Sequence, residues 1–398
     1  MPHFEKIEYK PIPVRELLLE MKNLSELMID LAYSAALYND KDLAEDVLAL
    51  ESRVDTLAYL LDMEIMVAAR DPKDAEELVG ISKVAAATDK ISDAAADIAA
   101  IVTRNIGIHP IVGEIFEKVE ERLMKATVKP NSTIIGKKIG ELDLAAKMGV
   151  DIIAIRRTSD WILNPKKTEK VLQDDILITR GAPSGIEEFK DMAEGELAKL
   201  DVEKRAKFEE IVSRFVELKD TSELMIDLAY SSLMLNSKEL AEEVQRLEER
   251  MDRLHTEFEL LAITSDFKKE EASGFLGLIR LGVATEKIAD AAADMAEVVL
   301  RGIEPHPVLK LAIKEADETV AQACVTADSP LVNKTLKEAR VHEETGMWVL
   351  VIKRDDTCLR PRADSKIQAG DVLVASGYAE GANGLRKLAS PAEACNVE

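Results

Sequence analysis

The chain has 398 residues, 47% hydrophobic and 32% charged, which is long enough for roughly two to four domains that each bury a core. Its net charge of −23 argues against binding to a nucleic-acid backbone or an anionic membrane surface. The three cysteines show no C-x-x-C spacing, and no signal peptide or apolar run of about 18 residues is visible, so we expect a cytoplasmic protein without disulfides or membrane insertion.

The first 125 residues predict an up-down bundle of helices joined by short loops. Apolar residues recur at helical spacing over residues 14–38 and 42–66, and a third helix is predicted over 74–105. A further short helix is predicted from His109-Pro110 to about Lys125.

A small α+β domain follows the bundle. Residues 150–156, 161–163 and 175–179 are short apolar runs bounded by turn residues, which is typical of strands. Helices are predicted between them and after them, over 141–147 and 186–193.

The whole pattern then repeats after about 197 residues, so that residues 25–34 are identical to 222–231. We therefore predict a mainly α protein with α+β parts, in which two helical bundles (1–125 and 196–322) alternate with two small α+β domains (126–195 and 323–398). A fused duplication of this length predicts a pseudo-twofold axis that imitates a symmetric dimer.

Acidic residues recur four positions apart on the predicted helices. Asp89, Asp93 and Asp97 form one row, which returns in the second half as Glu286, Asp290 and Asp294. The remaining pairs are Glu26/Asp30, Glu51/Asp55, Glu223/Asp227 and Glu248/Asp252. If the helices of one bundle pack together, these pairs converge on a carboxylate patch suited to Mg, Ca, Mn or Fe. The alternative is that each pair is a solvated face of an amphipathic helix.

In each α+β domain, one predicted strand has two positively charged residues at its end, Arg156-Arg157 in the first copy and Lys353-Arg354 in the second. They lie next to apolar residues such as Ile162 and Leu359, an arrangement that suits an anionic small ligand such as a nucleotide. The alternative is surface charge that balances nearby acids. No nucleotide-binding glycine motif and no nucleophile–base pattern is present, so we expect a protein that is not an enzyme.

Residues 14–125 and 211–322 resemble PhoU domains, the helical modules of phosphate-uptake regulators. The acidic pairs carry the resemblance, together with the phrase Asp-Lys-Ile-x-Asp-Ala-Ala-Ala-Asp on the third helix. The resemblance implies three-helix bundles whose acidic motifs hold a divalent or multinuclear metal (iron, zinc or magnesium).

Residues 126–195 and 323–395 resemble TrkA-C domains, also called the C-terminal domains of regulators of potassium conductance (RCK). Gly149-Val150, the strand up to Arg157 and Leu163-Asn164-Pro165 carry the resemblance in the first copy. It implies dimerising domains that bind cyclic di-AMP or another nucleotide. The residues expected at that site are Arg156, Arg157, Ile162, Pro165, Lys353, Arg354, Leu359 and Pro361.

Two positions depart from this pattern. The first copy has Gln173-Asp174-Asp175 where the family has Gly-Asp, and the second copy has Asn333 where Gly136 stands in the first. The preferred hypothesis is a cytoplasmic ligand-sensing regulator of potassium transport that works through a membrane transporter or channel subunit, as a homodimer or an intramolecular pseudo-dimer. The alternative is a metal-binding regulator of phosphate uptake.

Overall fold

A computed structural model describes residues 6–194, 208–354, 357–359 and 361–391. The chain divides into two compact units, a helical unit (Met1–Val112 with Glu210–Ala316) and an α/β unit (Gly113–Glu209 with Asp317–Glu398). The predicted domain limits at 195/196 and at 398 lie outside the described residues. In the part of the chain that is described, no helix combines the length and apolar character needed to cross a membrane.

The elements of the first half are α1 (Val14–Tyr38), α2 (Lys41–Ala68), α3 (Pro72–Thr103), α4 (Ile111–Phe116), β1 (Arg122–Thr127), α5 (Ile139–Leu142), α6 (Leu144–Met148), β2 (Val150–Arg157), β3 (Asp160–Leu163), β4 (Ile176–Gly181) and α7 (Pro183–Glu194). Those of the second half are α8 (Glu209–Leu235), α9 (Lys238–Thr264), α10 (Ala272–Leu300), α11 (Pro307–Glu315), β5 (Glu318–Cys324), α12 (Leu336–Ala339), α13 (Val341–Thr345), β6 (Met347–Arg354), β7 (Thr357–Leu359), β8 (Val372–Tyr378) and α14 (Gly381–Ala389).

The three long helices of the first half form where the apolar spacing predicted them. The side chain of Asp40 accepts a hydrogen bond from the Leu43 amide at the start of α2. Asp71 caps α3 in the same way, and Pro72 occupies its first position, where the missing amide hydrogen costs nothing. Each helix buries its apolar side, for example Leu31 and Leu57, in the bundle core.

Helices α3 and α10 bring the two halves of the helical unit together. Lys90 binds Asp294 at 2.5 Å, and Lys287 binds Asp97 at 2.7 Å. Because these two ion pairs are reciprocal, the helices run antiparallel across the pseudo-twofold axis that the duplication predicted. A buried hydrogen bond of 2.7 Å between the hydroxyls of Tyr33 and Thr285 also joins the halves.

Each α/β domain contains a four-stranded antiparallel sheet, with strand orders β1-β4-β2-β3 and β5-β8-β6-β7. The two departures from the TrkA-C pattern leave the backbone conformation intact. Asp174 (φ 67°) adopts the left-handed conformation that Gly370 (φ 90°) has in the other copy, and Asn333 (φ 67°) does so where Gly136 (φ 77°) stands. Asn and Asp tolerate this conformation better than other side chains.

The short helix that was predicted to reach about Lys125 is wrong. Helix α4 ends at Phe116, and Arg122–Thr127 form the edge strand β1, which pairs with β4 over its whole length. The strand extends across the predicted domain boundary at residue 125, and β5 extends across the predicted boundary at residue 322 in the same way. Pairing with a distant strand decides the conformation here, because local spacing alone favours a helix.

The two α/β domains contact each other within the chain, through α6 and α13. Arg180 of β4 forms an ion pair with Glu318 of β5, and its guanidinium lies 5.2 Å from the centre of the Tyr378 ring. The Tyr378 hydroxyl in turn donates a 2.9 Å hydrogen bond to Glu121. This is the intramolecular pairing, one of the two arrangements expected from sequence; a homodimer of chains stays a prediction.

Candidate functional site

The first acidic cluster lies where α2 and α3 pack side by side. Carboxylate oxygens of Glu51, Asp55 and Asp93 come within 4.8 Å of one another. Asp89 lies one helical turn before Asp93, and its buried Oδ1 atom accepts no hydrogen bond from any described residue. Burial and the negative charges of Asp93, Asp55 and Glu51 raise the pKa of Asp89 to about 6.

The second cluster repeats this geometry between α9 and α10. Glu248, Asp252 and Asp290 hold their oxygens within 4.8 Å of one another. Glu286 takes the place of Asp89, and burial, followed by the charges of Asp290 and Asp252, raises its pKa to about 7. In both clusters, therefore, carboxylates are held together although they destabilise one another.

The last aspartate of each row has a different role. Asp97 and Asp294 form the ion pairs with Lys287 and Lys90 across the pseudo-twofold axis. The predicted row of three therefore divides, because each step of four residues rotates the side chain by about 40° around the helix. Two members face the neighbouring helix of the same bundle, and the third faces the other bundle.

The pairs on α1 and α8 are not part of these clusters. Glu26 and Glu223 form 2.5 Å ion pairs with the buried lysines Lys22 and Lys219. The ammonium of Lys22 also lies 4.4 Å from the centre of the Tyr230 ring. Asp30 is buried, with Asp227 at the corresponding place on α8. These four residues therefore lie outside the two clusters, although oxygens of Asp30 and Glu223 come within 4.8 Å of each other, and the role of all four as metal ligands stays a prediction.

Three further residues border the clusters and were not predicted. Asp62 contributes to the negative potential at Asp89, and Glu259 does so at Glu286. His255 lies between Asp252 and Glu259 on α9, with Nε2 3.8 Å from a Glu259 oxygen. Asp62 and Glu259 lie seven residues, about two turns, after Asp55 and Asp252, and His255 lies three residues after Asp252, so a search for polar residues on the same helix face at these spacings would have found all three.

The donor set fits a divalent cation. Oxygen atoms from two helices converge, and the unpaired Asp89 Oδ1 marks a polar atom that folding has buried without a partner among the described residues. A bound cation would satisfy that atom and reverse the repulsion that raises the pKa of Asp89. The residues that would hold it are Glu51, Asp55, Asp89 and Asp93, with Glu248, Asp252, Glu286 and Asp290 in the second half.

In the α/β unit, one member of each predicted basic pair is engaged inside the protein. Arg157 donates from Nε and Nη2 to Asp175 at 3.0 and 2.9 Å, and from Nη1 to Glu169 at 2.8 Å. Arg354 binds Asp371 in the same two-pronged way, at 2.7 and 2.8 Å. Both aspartates are almost fully buried, so these pairs have a structural explanation.

The other predicted ligand residues lie around the β2–β3 and β6–β7 hairpins. The Arg156 guanidinium lies 5.7 Å from the centre of the Trp161 ring, Ile162 packs against the domain core, and Pro165 is buried. In the second copy, Lys353 and Pro361 are half-buried and Leu359 is exposed. A role of these residues in ligand binding stays a prediction.

Two families match the chain, each of them twice. The PhoU domain matches residues 18–102 and 215–299, and the TrkA-C domain matches residues 123–193 and 320–390. The matches alternate along the chain, as the duplication does. They confirm both resemblances and the predicted alternation of helical and α+β modules.

Several proteins are similar to parts of the chain. The Ktr system potassium uptake protein C of Bacillus subtilis (strain 168) is 32% identical over 109 residues, which are 27% of this chain and 48% of that protein, so the match spans about half of the relative's length. A crystal structure of PhoU from Pseudomonas aeruginosa matches with a TM-score of 0.40 and 17% identity, over 73% of this chain and 96% of that one. The GsuK RCK domain matches with a TM-score of 0.18 and 12% identity, over 68% of this chain and 64% of that one.

Proposed function

Because the chain belongs to the proteins that combine PhoU and TrkA-C domains in tandem, we propose that it is a non-enzymatic, cytoplasmic regulator of potassium transport. It acts by binding a membrane transporter or channel subunit. The similarity to a named potassium-uptake component carries the proposal. The paired TrkA-C domains are its ligand-sensing part.

The ligand we propose is cyclic di-AMP or a related nucleotide, bound at the β2–β3 and β6–β7 hairpins. Arg157 and Arg354 neutralise buried aspartates, so Arg156 and Lys353 are the members of the two basic pairs assigned to the phosphates. Since the two domains already pair within the chain, a ligand that binds both changes their packing without any change of oligomeric state.

The partner is tested by affinity capture with the full chain from detergent-solubilised membranes of the organism that encodes it. Enrichment of a potassium transporter or channel subunit, relative to an unrelated acidic protein as bait, supports the proposal. Enrichment of phosphate-transporter subunits instead contradicts it and favours the alternative regulator of phosphate uptake.

The ligand is tested by isothermal titration calorimetry with cyclic di-AMP. We expect Arg156→Ala with Lys353→Ala to weaken binding at least tenfold, since each removes a cation from the anion site. Lys41→Ala is the matched control, because it removes an exposed positive charge in the helical unit. Absence of heat at high micromolar nucleotide removes the ligand from the proposal.

A second candidate function is divalent-cation binding by the two acidic clusters, as part of a PhoU-type regulator of phosphate uptake. The converging oxygens of Glu51, Asp55 and Asp93 and the unpaired Asp89 Oδ1 favour it. A bound cation would neutralise the clusters and fix α2 against α3. Metal analysis of the purified chain should show metal that is lost in Asp93→Asn and kept in Asp97→Asn, whose carboxylate binds Lys287. Metal-free wild-type protein after dialysis against iron, zinc or manganese contradicts this candidate.

A further inference from the structure

A cavity of about 350 Å³ lies in the helical unit, where α3 of the first half packs against α10 of the second. Val79, Val298 and Ile303 form its apolar wall, and the cations Lys83 and Arg301 border it. The volume is within the range of small-molecule sites, roughly 300–1,000 Å³. We propose that this cavity binds a small amphipathic anion, a carboxylate attached to a short apolar chain. The proposal goes beyond the regulation of potassium transport and needs neither a nucleotide nor a metal.

The apolar wall forms where the two helices approach each other at Gly80. An added Cβ at Gly80 would lie 3.2 Å from Ile303 Cγ2 and 3.4 Å from Val298 Cγ1, so a larger residue there would crowd the wall. Val298 is buried, Ile303 is half-buried and Val79 is 38% exposed. Water therefore reaches part of the wall. The apolar chain of a ligand would remove that surface from water, which favours binding.

The charges around the cavity leave one positive charge in excess. Asp294 binds Lys90 at 2.5 Å, and Glu297 accepts hydrogen bonds from Arg301, from Nε at 2.8 Å and from Nη2. Lys83 is exposed and forms no ion pair or hydrogen bond in the described part of the chain. Three cations thus stand against two carboxylates, in a protein whose net charge is −23. Such a local excess attracts an anion.

Lys83 also lacks a partner on its own helix. Several exposed lysines of the helical unit pair with a glutamate four residues later, namely Lys41, Lys73 and Lys238. The positions three and four residues before and after Lys83 hold only valine, glycine and alanine. No carboxylate of α3 can therefore reach its ammonium by the usual helical spacing. An ammonium without a counter-charge beside an apolar wall is complementary to a carboxylate that carries an apolar chain.

The position of the cavity gives the ligand a consequence. Because α3 belongs to the first bundle and α10 to the second, a molecule in the cavity contacts both bundles. A ligand that binds only the packed arrangement stabilises it, by an amount that grows with the ligand concentration. The corresponding place in the other half, near Arg280 of α10, is packed differently. A Cβ at Gly277 would meet the backbone oxygen of Gly107, whereas at Gly80 it meets side chains.

The test is a titration of the full chain with octanoate, followed by NMR of the isoleucine δ1 methyl groups. The Ile303 resonance reports on the cavity and is assigned by its loss in Ile303→Val. Lys83→Glu reverses the charge at the cavity, Lys83→Arg keeps it, and Arg280→Glu reverses an exposed cation at the corresponding place of the other half. Octanol, which has the same chain without the charge, is the matched ligand. The substituted side chains are exposed, so the helices should fold normally, which far-UV circular dichroism checks.

We expect octanoate to shift the Ile303 resonance saturably and Lys83→Glu to weaken binding at least tenfold, because repulsion then replaces attraction. Lys83→Arg and Arg280→Glu should each stay within threefold of the wild type, and octanol should bind at least tenfold more weakly than octanoate. Absence of a saturable Ile303 shift at millimolar octanoate overturns the proposal. Equal binding of octanol, or affinity within threefold in Lys83→Glu, overturns the anion site. An equal loss in Arg280→Glu does so too, since the overall charge of the protein would then explain the effect.

Discussion

Arg157→Ala should destabilise the first α/β domain because it leaves the Asp175 carboxylate buried without its cation. Asp175 is 2% exposed, and after the substitution its remaining donor among the described residues is the Leu172 amide, at 2.8 Å. Removal of one partner of a buried ion pair costs about 3–5 kcal/mol. The arginine side chain is 29% exposed, so we expect the lower end, about 3 kcal/mol.

The assay is hydrogen–deuterium exchange of the β2 and β4 amides, followed by mass spectrometry. A loss of about 3 kcal/mol corresponds to roughly 150-fold faster exchange where exchange reports the opening equilibrium. Replacing both Arg157 and Asp175 by leucine should restore most of the protection, because no buried charge is then left alone. Arg156→Ala is the control, since Arg156 is the neighbouring member of the basic pair and does not reach this aspartate in any contact that the structure shows.

Unchanged exchange in Arg157→Ala, combined with a loss of nucleotide binding, would refute this reasoning. Arg157 would then be a ligand residue, as the sequence pattern alone suggested, and the ion pair with Asp175 would be incidental. The same experiment on Arg354→Ala tests the second copy, in which the guanidinium binds Asp371 at 2.7 and 2.8 Å.

Three further substitutions test the electrostatics and the packing. Asp89→Asn should stabilise the metal-free protein by about 1–2 kcal/mol at pH 7.5 and by nothing near pH 4, as measured by urea unfolding. The wild-type protein is destabilised as pH rises through about 6, where the buried Asp89 carboxyl ionises, and asparagine cannot ionise. An equal effect at both pH values contradicts this. Burial lowers the pKa of His342 from 6.5 to about 3, so the stability of the wild type relative to His342→Phe should fall by about 2 kcal/mol between pH 7.5 and pH 5. A difference between the two proteins that does not change with pH contradicts it. Gly277→Ala should lower the free energy of unfolding by about 1–3 kcal/mol and lower Tm, because the added Cβ would overlap the Gly107 carbonyl oxygen. Gly113→Ala is the control, since a Cβ there meets open space. Equal Tm values in the two variants would contradict this close packing of Gly277 against Gly107.

The long helices and the duplication were predictable because each leaves a strong signal in the sequence itself. Apolar residues at helical spacing place α1, α2 and α3 within about two residues of their observed ends, and the repeat predicts the same elements in the second half. The strand β1 was not predictable in this way. Its hydrogen bonds go to β4, about fifty to sixty residues away, and no nearby turn marks the pairing.

The acidic site was predictable in composition but not in geometry. The spacing found Glu51, Asp55, Asp89 and Asp93, which do converge. It could not separate Asp97, because a row at intervals of four residues drifts by about 80° over eight residues and so comes to face a different helix. Which helix lies there depends on how the two bundles pack, and this packing is determined by the contacts between α3 and α10.

The fused duplication explains how one half came to differ from the other at paired surfaces. In a homodimer every substitution appears on both sides of the axis, whereas in a fused chain it appears on one. In the α/β unit, Arg180 pairs with Glu318 and lies against Tyr378, but the positions that correspond to Arg180 and Tyr378 in the opposite copy are Ser376 and Ala182.

A pair of two first domains would therefore place alanine against each arginine, and a pair of two second domains would lack the arginine altogether. The charged and aromatic contacts form together only when a first domain meets a second domain. The contacts of Arg180 thus favour the pairing of a first domain with a second domain over the pairing of two like domains.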